Sequence, residues 1–134
     1  MGTAEPIEVI TEAECWRLLA EHTVGRLAVS IANRPDIFPV NYVLDDDTVV
    51  IRTAPGLKLA ASSLGVGVAF EVDAFDEAAH VGWSVVVSGQ AVEIDDDSER
   101  VNIERLGIEP WAAGSKTRYL RVIPEQVTGR RIPG

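Results

Sequence analysis

The feature that most constrains this chain is the way its apolar residues are parcelled out. Short runs rich in Val and Ile are each stopped by a few polar, Gly or Pro residues. Such runs read as strands and the stops as turns. They predict strands over Arg26 to Ala32, Ile37 to Leu44, Thr48 to Thr53, Val68 to Asp73 and Gly82 to Ile94. Tyr119 to Ile123 and Val127 to Ile132 read as a last pair, divided by Pro124 and Glu125. Asn33 to Asp36 and Asp45 to Asp47 read as turns, and Ala74 to Val81 as a polar loop.

Three stretches carry helical spacing instead. Thr11 to His22 opens with Thr11 and Glu14 at capping-box separation and places Cys15, Leu18, Leu19 and His22 on one face, with Gly25 closing it. Leu57 to Leu64 lines up Leu57, Ala60, Ala61 and Leu64. Asp95 to Ser98 caps a helix that reaches about Leu106 and stops at Gly107. Strands outnumber helices and follow one another through short turns, which predicts an antiparallel barrel with attached helices rather than a doubly wound parallel sheet. With 134 residues, 46% of them hydrophobic, residues 1–134 form one domain around one core.

Charge narrows the partners. A net charge of −9 argues against nucleic acid and against an anionic membrane surface. No apolar run reaches the roughly 20 residues that span a bilayer. Met1 to Thr11 lacks the order of a secretory signal, and Cys15 is the single cysteine, so a reducing, cytoplasmic setting is expected. Residues 115–134 hold Lys116, Arg118, Arg121, Arg130 and Arg131 against Glu125, a balance of +4, so the rest carries −13. The basic tail either meets an anionic group or offsets the acidic body.

Familiar catalytic patterns are missing. There is no Gly-x-Gly-x-x-Gly, no phosphate-loop motif and no nucleophile elbow. His22 and His80 are the only histidines, too few and too far apart to predict a metal site. Three stretches stand out instead. Val50 to Lys58 is a strand ending in Arg52-Thr53, then a glycine turn, then Lys58 on a first helical turn. A guanidinium fork, a hydroxyl, free helix-end amides and a mobile ammonium together could hold a terminal phosphate. The same residues also fit an exposed strand end and a solvated helix face. Ile37 to Tyr42 carries Pro39 and Asn41 on an apolar strand and fits either an edge strand or a strand whose backbone meets a planar ring. Gly82 to Gly89 alternates large and small residues as a curved barrel strand would, with Trp83 in core, in a subunit contact or in a site.

Taken in order, these stretches resemble the pyridoxamine 5′-phosphate oxidase-like split-barrel family, in its branch of flavin-nucleotide-binding and nitroimidazole-resistance-like proteins. The matching features are Gly25-Arg26-Leu27-Ala28-Val29, Pro39-Val40-Asn41-Tyr42, Arg52-Thr53-Ala54-x-Gly56-x-Lys58, Phe70-Glu71-Val72-Asp73, Gly82-Trp83-Ser84-Val85, Gly89-x-Ala91 and Gly129-Arg130-Arg131. The resemblance implies a mainly β fold, a six-stranded antiparallel split barrel, acting as a homodimer with FMN, FAD or a deazaflavin at the interface. It implies that Arg52, Thr53 and Lys58 grip the phosphate and that the backbone of Val40, Asn41 and Tyr42 lines the ring. It places Trp83, Trp111 and Arg118 against the ring or a small-molecule substrate, from either subunit. The extra C-terminal basic and aromatic residues that hold pyridoxal phosphate in the full oxidases are not all present. Two functions follow: an FMN-dependent oxidoreductase, or its deazaflavin-dependent counterpart, acting on a small organic substrate; and a flavin or haem carrier or sensor without turnover. No side chain is an evident acid or base; Tyr42, His80 and Tyr119 qualify by residue type alone.

Overall fold

The computed structural model describes residues 7–52, 67–94, 96–108 and 119–133. Within them the order is β1 (Glu8–Ile10), α1 (Glu12–Ala20), β2 (Val24–Ile31), β3 (Arg34–Asp45), β4 (Thr48–Arg52), β5 (Gly67–Asp76), β6 (Val81–Glu93), α2 (Asp97–Glu104) and β7 (Tyr119–Ile132). Every neighbouring pair is antiparallel. The order β1-β7-β4-β3-β2-β5-β6 is closed by a further pairing of β6 with β7. Six strands therefore form a ring, and β1 lies on the free edge of β7 beyond the point where β4 stops. Closure removes the open edges that a sheet of this size would otherwise present.

The pleat explains the composition. Along β5, Val68, Phe70 and Val72 point inward between Ala69, Glu71 and Asp73. Inside the ring they meet Leu27 and Val29 of β2, Val40 and Tyr42 of β3, and Val85 and Val87 of β6. β4 breaks the alternation, because Val49, Val50 and Ile51 are all buried. Val49 and Ile51 face the barrel interior, while Val50 joins Ile94, Ile103 and Tyr119 under α2. A strand covered on both faces needs apolar residues on both.

The turns obey local chemistry. Ala32 and Asn33 both take positive φ, 50° and 63°, and so do Asp46 and Asp47, 45° and 57°. Each pair is a two-residue hairpin loop whose left-handed backbone matches the strand twist. The first turn is thus one position earlier than the sequence suggests, and β3 starts at Arg34. Thr11 caps α1 by accepting from the Glu14 amide at 3.3 Å.

Four expectations are corrected. Gly25 does not close α1 but lies within β2, where the Phe70 ring occupies the space a Cβ would need. Ala74 to Val81 is not all loop, since β5 runs to Asp76 and β6 begins at Val81. Tyr119 to Ile132 is one strand, with Glu125 bulged out where Ser88 meets Gln126 and Gly89 meets Pro124. A bulge tolerates a residue that cannot donate, so Pro124 does not end the strand. β1 is an addition to the six strands expected. The helix expected over 57–64 lies outside the described residues.

α1 is tied to β7 by charge. Arg17 bridges Glu14 and Glu21 on the helix, and Arg131 reaches Glu14 at 3.3 Å. The Arg17 guanidinium, seconded by Arg131, holds the Glu14 carboxyl at about 2, well below its ordinary 4.5. Because the folded value is depressed, the stabilisation is complete above the unfolded value and is lost as pH falls towards 2. Glu14→Gln is therefore expected to lower the melting temperature at about pH 6, with the two melting curves converging as pH approaches about 2. An unchanged gap across an acid titration of both proteins would remove this role.

Candidate functional site

α1 ends in a tightened turn, with the Glu21 amide donating to Leu18 O and the His22 amide to Leu19 O. This leaves His22 and Thr23 beside the middle of β3. Two bonds hold the junction. The Tyr42 amide donates to Thr23 O at 3.0 Å, and the Tyr42 hydroxyl donates to Leu19 O at 2.5 Å. The Tyr42 ring is buried and meets Phe70 edge-on, with centroids 4.8 Å apart.

On the outer face of the barrel, α2 sits over Val50 and Tyr119 through Ile103. Arg121 fastens it there, bonding to Glu99 of α2 at 2.7 Å, to Asp45 at 3.0 Å and to Thr48 Oγ1 at 2.7 Å. Gly107, at φ 76°, ends the helix and turns the chain back over β3. A cleft of about 490 Å³ remains between the end of α1, residues Asn41 to Leu44 of β3, and Leu106 to Ile108. Ligand clefts run to roughly 300–1,000 Å³, so the space fits one planar ring system.

The sequence-derived residues divide into three groups. Asn41 and Tyr42 line the cleft. Arg52 stands directly across the β3–β4 ladder from Asn41, and across the β4–β7 ladder from Tyr119. It shares the outer face with Val50 and is only half-buried. Val40 turns its side chain into the core but is the first β3 residue past the described end of β4. Asn41 and Tyr42 are laddered to β4, opposite Arg52 and Ile51. The structure thus brings Val40, Asn41, Tyr42 and Arg52 together at one rim. Trp83 is separate. It lines the mouth of the barrel on β6, beside a shallower depression of about 570 Å³, and its ring meets that of His22, which lines the cleft. Thr53, Lys58, Trp111 and Arg118 lie outside the described residues.

Two residue-type candidates for proton exchange are poorly suited. Burial pushes the Tyr42 hydroxyl well above its usual range, and that hydroxyl is committed to Leu19 O. Burial likewise raises Tyr119, with Glu104 adding to it. His80 is exposed in the β5–β6 turn at φ 57°. Sequence reading missed His22, which lines the cleft. Its place on the apolar face of α1 was visible, but its neighbours on β3 were not. Part of the basic tail has an internal use: Arg121 and Arg131 pair with Asp45, Glu99 and Glu14. Among the described residues no three His, Cys, Asp or Glu side chains are placed to hold a metal ion. No helix among them is long and apolar enough to cross a membrane.

A six-stranded antiparallel ring with a helix over one mouth, a second helix on its outer wall and a cleft where strand and helices meet is a split barrel. The chain belongs to the pyridoxamine 5′-phosphate oxidase family, whose model matches residues 11–131. An uncharacterized protein of Mycobacterium tuberculosis is 35% identical over 135 residues, 97% of this chain and 88% of that protein. The FAD binding protein of Mycobacterium smegmatis has a solved structure that is 38% identical, superimposes with a TM-score of 0.81 and covers 95% of this chain and 99% of its own. An FAD-binding protein of Mesorhizobium loti shares the fold at 23% identity and TM-score 0.78, covering 96% and 98% of the two chains.

Proposed function

We propose that this protein is a flavin-dependent oxidoreductase acting on a small organic substrate as a homodimer, with FMN or FAD held at the rim of the cleft. One observation carries the reading: Arg52 is in register with Asn41 at the edge of a ring-sized cleft. Arg52, joined by Thr53 and Lys58, holds the phosphate as a charge-assisted clamp. The backbone of Val40, Asn41 and Tyr42 lies along the ring. Trp83, Trp111 and Arg118 complete the wall towards the substrate, in part from the second subunit. The 38% identical M. smegmatis protein is an FAD binding protein, which supports a flavin here. The bound flavin supplies two-electron chemistry, and the chain supplies position, water exclusion and electrostatics.

Titration of FMN and FAD under tryptophan fluorescence tests this. Removing charge-assisted phosphate bonds worth about 1.5–3 kcal/mol each by Arg52→Ala with Lys58→Ala is expected to weaken flavin binding at least 100-fold. The melting temperature should hold, since Arg52 is half-exposed. Full affinity in the double variant would remove the phosphate clamp, and a monomer at micromolar concentration in sizing would remove the interface site. Binding of a deazaflavin alone would assign a deazaflavin-dependent reductase. Tight flavin binding without reduction by a nicotinamide donor would assign a carrier.

A further inference from the structure

We propose that His22 is the proton-exchanging group of the cleft, giving one proton to the bound flavin when it is reduced and taking it back on oxidation. This rests on the flavin reading above. Of the described residues that line the cleft, only His22 and Tyr42 can ionise. Tyr42 is excluded by burial and by its bond to Leu19 O. Imidazole is the ordinary side chain whose protons exchange near neutral pH. The His22 imidazole makes no hydrogen bond or ion pair to the described residues. It is held instead by a tilted ring contact with Trp83, centroids 5.2 Å apart at 56°. A side chain oriented by an apolar wall, with its ring nitrogens bonded to none of the described residues, is disposed to hydrogen-bond a ligand. His22 is also half-buried rather than sealed, so solvent can restore its proton.

The proton balance calls for such a group. A reduced nicotinamide donor delivers a hydride, which is two electrons and one proton. The neutral reduced flavin ring carries two hydrogens more than the oxidised ring, so one further proton must come from elsewhere. As imidazolium, His22 gives that proton and is left as neutral imidazole. In the oxidative half, imidazole accepts it again. Trp83 acts as a positioning residue, because its ring contact fixes the plane of the imidazole while Trp83 itself is not among the residues that line the cleft.

The chain has only two histidines, which makes the test direct. Histidine-labelled protein gives two imidazole signals, and His80, exposed in its turn, serves as the internal reference. On titration with FMN the His22 signal is expected to shift in step with binding while the His80 signal stays in place. His22→Gln keeps hydrogen-bonding capacity but cannot exchange a proton. It is expected to bind FMN as the parent does and to be reduced by NADH or NADPH about 100-fold more slowly, the scale of a lost acid–base group. In His22→Ala, added imidazoles are expected to restore the rate in proportion to their basicity, which a purely structural role would not produce. FMN binding with an unmoved His22 signal, or full reduction rate in His22→Gln, overturns the proposal and leaves the flavin reading intact. Absence of FMN and FAD binding to the parent protein overturns both.

Discussion

Phe70→Ala is expected to cost about 3–5 kcal/mol of unfolding free energy, the range for deleting a buried aromatic ring. Phe70 is fully buried at the centre of β5. Its ring fills two needs. It lies over Gly25 of β2, within 2.6 Å of where a Cβ would stand, so the missing side chain at Gly25 and the ring form one packed unit. It also meets Tyr42 edge-on at 69°, an arrangement worth about 0.5–1.5 kcal/mol beyond area burial. The rigid barrel cannot close over the resulting void, so most of the cavity term persists. Tyr42 would lose its inner support, and β3 carries both that ring and the cleft floor. Urea denaturation gives the loss directly; Phe70→Leu should cost less, about 1.5 kcal/mol. A loss under about 1 kcal/mol for Phe70→Ala would mean that the ring is not packed between β2 and β3 as described.

Gly89→Ala is expected to cost about 3 kcal/mol or more, although it adds one methyl group, because overpacking against backbone has no cheap relief. A Cβ at Gly89 would sit 1.9 Å from Ile123 O, 2.8 Å from its carbonyl carbon and 3.1 Å from Pro124 Cα. All three are main-chain atoms of β7 at the bulge, so no side chain can rotate away. The bulge must shift or the β6–β7 ladder must part there. Gly67→Ala is the control on the neighbouring strand, since its nearest atom is 4.0 Å away. It should change stability by less than about 1 kcal/mol. Equal effects of the two substitutions in thermal melts would show that the close approach of β6 and β7 is not real.

Much of this architecture is written locally. Thr11 and Glu14 announce α1, the paired aspartates after Asp45 announce the β3–β4 turn, and Gly107 stops α2. These signals act between near neighbours, so a sequence displays them. What was illegible depends on distant partners. β1 is only three residues, and they are a strand only because Gly129 to Arg131 offers a ladder. Pro124 reads as a break until Gly89 places a bulge opposite it. Gly25 reads as a helix stop until Phe70 is seen to fill its place. The site follows the same division. Arg52 and Asn41 attract notice by residue type and family resemblance, and the hairpin then puts them in register. His22 joins them only when α1 packs against β3, and its contact with Trp83 links elements that no local pattern connects.

β7 pairs with β4 through Tyr119 to Val122, with β6 along nearly its whole length, and with β1 through Gly129 to Arg131. All three partners precede it in the chain. On the ribosome, then, β1 to β6 can emerge and begin to pair, yet the ring cannot close until β7 has left the exit tunnel. Until that moment β4 and β6 present bare hydrogen-bonding edges, the kind that join to other chains. Closure is a single late event that seals three seams at once. Synthesis of this barrel therefore carries its greatest exposure to misassembly in the interval before β7 emerges, a window that a chaperone bound to the nascent chain would guard.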